Sequence, residues 1–83
     1  MRILYFAWLR NRIGVAAEDV DPPPGITDVA GLLDWLATRS PGHQAALADR
    51  RVVRVAVNHD YARPDAKVRP GDEIAIFPPV TGG

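Results

Sequence analysis

The last six residues of this 83-residue chain, Pro78-Pro79-Val80-Thr81-Gly82-Gly83, hold its clearest opportunity for chemistry. Gly83 offers a carboxylate with no side chain beside it. A carboxylate is a poor acyl donor. Adenylation by ATP makes it a good one, and sulfide attack on the adenylate then leaves a thiocarboxylate. A chain so activated would become a tethered sulfur nucleophile whose approach is controlled by docking. Gly82 and Gly83 can thread a narrow channel and lie close to a reactive centre, because neither has a side chain. Pro78 and Pro79 stiffen the exit. At about 3.3 Å per extended residue, six residues reach roughly 20 Å, enough to enter another protein's active site while the domain docks outside.

The side chains elsewhere form no rival constellation. His43 and His59 are the only histidines. Neither has a carboxylate or histidine partner at metal-ligand spacing, so both read as surface or turn residues. Asp60 and Asp65 flank a turn and suit it. Asp72 and Glu73 follow a Pro-Gly turn at a strand start, a poor place for a paired acid/base site. Ser40 lies in a Ser-Pro-Gly breaker with no His–Asp context and is not a nucleophile. There is no Gly-rich phosphate loop and no cysteine. No metal or cofactor is therefore expected on this chain, and ATP is expected on a partner.

The elements that must position the tail are legible from pattern. Residues 3–9, ILYFAWL, form a continuous apolar run of strand length, as in a strand buried on both faces. Gly14 marks a turn, and residues 15–20 form a weaker strand that pairs with the first as a hairpin. Pro22-Pro23-Pro24-Gly25 breaks any regular element. Thr27 or Asp28 then caps a helix whose Val29, Leu32, Leu33 and Leu36 share one face, with Trp35 at its edge. Gly31, inside that helix, suggests a close helix–sheet approach. Ser40-Pro41-Gly42 ends it, and residues 43–49 suit a short second helix.

Val53, Val55 and Val57 alternate with Arg54, Ala56 and Asn58 in a half-buried strand. Asn58-His59-Asp60 turns into a short returning strand at Tyr61-Ala62. Arg69-Pro70-Gly71-Asp72 is a turn before a last strand over 73–77. There Phe77 falls out of phase with Ile74 and Ile76, so it points away from the helix-covered face, a position suited to partner docking. The fold class is α+β: a mixed sheet, one main helix on one face, and an extended C-terminal tail. Residues 1–77 make the domain and 78–83 the tail. If the first and last strands are both central, they are parallel neighbours.

Composition narrows the partners. Ten basic residues balance ten acidic ones, which argues against nucleic acid. The local cluster Arg50, Arg51 and Arg54 suits a solvated loop or a partner contact. The longest apolar run is too short to span a bilayer and makes no signal peptide, so a cytoplasmic protein without membrane association is expected.

The ending GDEIAIFPPVTGG resembles that of the small subunits of molybdopterin synthase, the sulfur carriers of molybdenum cofactor biosynthesis. ILYFAWLRNRIG is similar to that family's opening strand and turn, and VAVNHDY to its central strand and hairpin. The resemblance implies a β-grasp (ubiquitin-like) fold. It also implies a large synthase subunit holding the pterin precursor, in a heterotetramer, and an E1-like adenylating enzyme. Gly83 then matches the thiocarboxylated residue, and Gly82 its threading neighbour. Pro78, Pro79, Val80 and Thr81 match the inserted tail, and Phe77 an aromatic that docks on partners. Ile76-Phe77 stand where family members often show two aromatics. The chain alone would be a non-catalytic carrier. A carrier for thiazole, cysteine or tRNA thiolation, a ubiquitin-like modifier of lysines, or a plain interaction module are the alternatives.

Overall fold

The computed structural model describes residues 1–79. Five strands make one mixed sheet in the order β2-β1-β5-β3-β4. They are β1 (Arg2–Tyr5), β2 (Ala17–Asp19), β3 (Arg54–Val57), β4 (Asp60–Ala62) and β5 (Glu73–Phe77). β5 is central. It runs parallel to β1, with Arg2 opposite Glu73 and Tyr5 opposite Ile76, and antiparallel to β3, with Arg54 opposite Phe77. The predicted parallel neighbours and the β1–β2 hairpin are both present. The topology is the β-grasp arrangement.

Alternation along the strands divides the sheet into two faces. Ile3, Tyr5, Val55, Ile74 and Ile76 are buried beneath the helices. The nine-residue α2 (Val29–Ala37) supplies Val29, Leu32, Leu33 and Leu36 to the same core. Asp28 caps it, accepting from the Gly31 N–H at 2.8 Å. Gly31 does not mediate a helix–sheet approach. A Cβ there would lie 3.1 Å from Asp28 Oδ1, so its neighbour is the capping carboxylate.

Two local predictions need correction. The apolar run over residues 3–9 is not one strand. Only its first part is in β1, which is buried on one face, and α1 (Ala7–Ile13) follows. An unbroken apolar run cannot distinguish a buried strand from a buried helix. Here the chain turns out of the sheet at Ala7, whose φ is 57°. Ser40-Pro41-Gly42 does end the α2 region, but it also begins α3 (Pro41–Ala46). Ser40 Oγ accepts from the His43 N–H, and proline suits the first helical position because it has no N–H to leave unpaired. The single main helix is therefore joined by two short ones. Gly42 is where α3 meets α1: a Cβ there would lie 2.5 Å from the Arg12 carbonyl oxygen.

Candidate functional site: the tail exit

β5 delivers the chain to its exit from the middle of the sheet. Ile74 and Ile76 are fully buried and anchor it from the helix side. Glu73, Ala75 and Phe77 alternate onto the open face. Phe77 is half-buried and packs edge-on against Tyr61, with ring centroids 5.7 Å apart at 62°. Tyr61 itself is 77% exposed. Leu4, Ala56 and Ala75 stand in register across the same face, so an uncovered apolar strip leads to the exit. The orientation expected for Phe77 is the one found.

The exit is bounded on the β1 side by the turn into α1. The Phe6 N–H donates to the Ile76 carbonyl at 3.1 Å. The Phe6 and Trp8 side chains remain exposed, and the Arg12 guanidinium stacks 5.9 Å from the Trp8 ring centre. Pro78 and Pro79 follow β5 and are half-buried. Neither offers an N–H to a further ladder, which ends the sheet there. The remaining tail residues singled out by sequence, Val80, Thr81, Gly82 and Gly83, lie outside the described residues. Phe6, Trp8 and Tyr61 are the exit residues that sequence reasoning missed. An aromatic inside an apolar run gives no sign of which face it takes. Tyr61 is legible only once its register with Ala56 is known.

The other polar cluster lies inside the molecule, and it corrects the reading of His43. That residue is 7% exposed and is not a surface histidine. Its Nε2 lies 2.7 Å from Glu18 Oε2, and its Nδ1 2.7 Å from Ser40 Oγ. The Tyr5 hydroxyl donates to the same Glu18 oxygen at 2.6 Å. Arg39 reaches Glu18 Oε1 at 3.5 Å. Burial pushes the Glu18 carboxyl up, but hydrogen bonds from Tyr5 and His43 outweigh it and hold the group below the ordinary carboxylate range. Burial and the bond to Glu18 push the Tyr5 phenol well up. Ser40 Oγ is already the α3 cap, and among the described residues every buried side-chain N or O has a partner. The cluster therefore ties β1, β2 and α3 together. His59, by contrast, is the exposed turn residue expected, with φ of 74° and its Nε2 3.1 Å from Glu73. Among the described residues no group of three or more His, Asp or Glu could hold a metal ion.

Comparison with known proteins places this geometry. The model of the ThiS family matches residues 3–83. The chain belongs to the ThiS family. Among ThiS relatives, the molybdopterin synthase sulfur carrier subunit of Escherichia coli is 35% identical over 83 residues, covering 100% of this chain and 99% of the relative. A Pyrococcus furiosus structure provisionally described as molybdopterin converting factor, subunit 1 superposes with a TM-score of 0.78. It is 30% identical and covers 95% of each chain. The Haloferax volcanii small archaeal modifier protein 1 superposes with a TM-score of 0.75 at 30% identity, covering 96% of this chain and 97% of its own. The ThiS match runs through Gly83, so the family likeness includes the tail. No described helix is long and apolar enough to cross a membrane.

Proposed function

We propose that this chain is the sulfur carrier subunit of a molybdopterin synthase, acting through the Gly83 carboxylate. The observation that carries the reading is the full-length likeness to sulfur carrier subunits of that synthase, through the Gly-Gly end. Support from geometry is the exit from a central strand beside an exposed aromatic surface. In the first step a Gly83 carboxylate oxygen attacks the α-phosphorus of ATP on an E1-like enzyme, and pyrophosphate leaves. Sulfide sulfur then attacks the acyl carbon, and AMP leaves. The thiocarboxylate sulfur then bonds to a carbon of a pterin precursor held by a large synthase subunit in a heterotetramer, displacing an oxygen leaving group. Water cleaves the acyl–sulfur bond, leaving the sulfur on the pterin and regenerating the carboxylate.

This chain's part is presentation. Pro78 and Pro79 direct the tail, Val80 and Thr81 extend it, and Gly82 lets it thread beside the reacting centre. Phe77 is the docking aromatic, with Tyr61 beside it. ATP belongs to the activating partner, and the cycle runs in the cytoplasm.

The test is intact mass after incubation with ATP, sulfide and the activating enzyme. The expected product has one oxygen replaced by sulfur, localised to Gly83 by fragmentation. An unchanged mass with an enzyme that charges its own carrier overturns the reading. The likeness to a small archaeal modifier protein favours a second one, in which the activated Gly83 forms isopeptide bonds with lysines. Covalent conjugates in cells, abolished by deleting Gly82 and Gly83, would support that instead.

A further inference from the structure

We infer that the tail-bearing end of this molecule is the positive pole of a charge dipole, and that it is built to meet an acidic protein surface around the site receiving the tail. The carrier reading enters only in naming that partner.

A formal net charge of zero conceals a sorting of charge along the strand direction. Parallel β1 and β5, with β3 antiparallel to them, define two ends of the sheet. At the exit end stand Arg10 and Arg12 on α1, Arg54 opposite Phe77, and Arg50 and Arg51 in the 3-10 turn just before β3. Among the described residues two carboxylates pair with them. Asp34 pairs with Arg50 at 2.9 Å and Asp49 with Arg51 at 3.0 Å. Among the described residues the far end holds Asp19, Asp21, Asp60, Asp72 and Glu73, against Arg2, Arg69, the N-terminal ammonium and the His59 ring 3.1 Å from Glu73. Arg63 continues β4 past Ala62, which stands opposite Val55, and so falls in the Arg54 row at the exit end, with Asp65 two residues on. Elsewhere Glu18 pairs with Arg39, and Asp28 stands opposite Lys67.

Three of the exit-end cations are free to act on a partner. Arg10, Arg12 and Arg54 are exposed, and none forms an ion pair among the described residues. Arg12 is held by stacking on Trp8, and Arg54 by donating to the Arg51 and Val53 carbonyls. Neither interaction neutralises charge. The poles sit about 13 Å or more apart across the rows of β5 at ~3.3 Å per residue, longer than a Debye length of about 8 Å at physiological salt. An approaching surface therefore feels the nearer pole. A negative rim attracts the exit end and repels the far end, so the molecule arrives tail first. Field of this kind acts on the rate of encounter and on orientation more than on final affinity.

The test is stopped-flow association with the large synthase subunit from the same source across a salt series. R10Q/R12Q/R54Q removes the free cations, and D21N/D60N alters the far end. Circular dichroism confirms that each variant is folded. The triple variant is expected to associate roughly tenfold more slowly at low salt, with the difference vanishing at high salt, while D21N/D60N stays near the parent rate. Equal rates and equal salt slopes for parent and triple variant would overturn the proposal.

A second arm does not depend on the partner's identity. At neutral pH the parent, and not the triple variant, is expected to be retained on immobilised polyglutamate. If that holds while no complex forms with the large subunit, the steering surface stands and the choice of partner falls. Tighter retention on duplex DNA or RNA than on polyglutamate would overturn the acidic-protein assignment in favour of nucleic acid.

Discussion

His43 Nε2 lies 2.7 Å from Glu18 Oε2, across 25 positions of sequence, and joins α3 to the edge strand β2. Tyr5 donates to the same oxygen from β1. His43→Ala removes the imidazole and leaves Glu18 with one strong donor fewer. The expected loss is about 2–3 kcal/mol, combining a broken buried hydrogen bond with a cavity. Urea unfolding should show a lower midpoint. Tyr5→Phe tests the same oxygen from the other side, and the two substitutions should be non-additive because they share a partner.

Acid should find the same cluster. The folded Glu18 carboxyl titrates below its ordinary range, burial opposing and the Tyr5 and His43 hydrogen bonds prevailing. A depressed folded value means that this stabilisation is present above the unfolded pKa, near ~4.3, and is lost as pH falls through the folded one. Thermal midpoints between about pH 6 and 3 should fall for the parent, and Glu18→Gln should flatten part of that fall. Tyr5 carries the opposite sign. Its phenol is raised first by burial and then by Glu18, so its contribution holds below about pH 10 and is lost in strong alkali.

Gly42 should tolerate no side chain. An added Cβ would lie 2.5 Å from the Arg12 carbonyl oxygen, which is backbone and cannot swing aside. Gly42→Ala is expected to cost about 1–3 kcal/mol by pushing α3 off α1. Gly25→Ala is the matched control, since nothing lies within 4 Å of its Cβ position. Differential scanning calorimetry distinguishes them.

Phe77 should matter to partners more than to folding. It is half-buried on the open face, while Ile74 and Ile76 carry the anchoring of β5. Phe77→Ala is expected to leave the circular dichroism spectrum intact and weaken association with the large synthase subunit roughly tenfold or more, as loss of an aromatic anchor does. Ile76→Ala should instead lower the melting temperature. Titration calorimetry on both variants separates the two roles.

Much of this frame was readable from residue order. Alternation over Glu73–Phe77 sets the faces of the central strand, the Val29-Leu32-Leu33-Leu36 stripe sets α2, and of the two capping residues in Thr27-Asp28 it is Asp28 that caps. α1 was hidden because Phe6, Ala7 and Trp8 continue the apolar run of β1, and a helix of seven residues is too short to declare its own period. The α3 start was hidden because Ser-Pro-Gly is at once a stop and a start. His43 looked solitary because its carboxylate partner is distant in sequence. Tyr61 beside Phe77 depends on the β3–β4 register, which a turn of Asn58 and His59 sets only in three dimensions.

The central place of β5 also decides how the molecule bears a pull. A partner that grips the tail applies force along a strand hydrogen-bonded on both sides, to β1 running the same way and to β3 running opposite. Such a load shears both ladders lengthwise, so many bonds must yield together; at a sheet edge pulled sideways they would peel one by one. In the proposed carrier cycle the domain could therefore be tugged as a partner takes up and releases its terminus and come away folded, ready for another round.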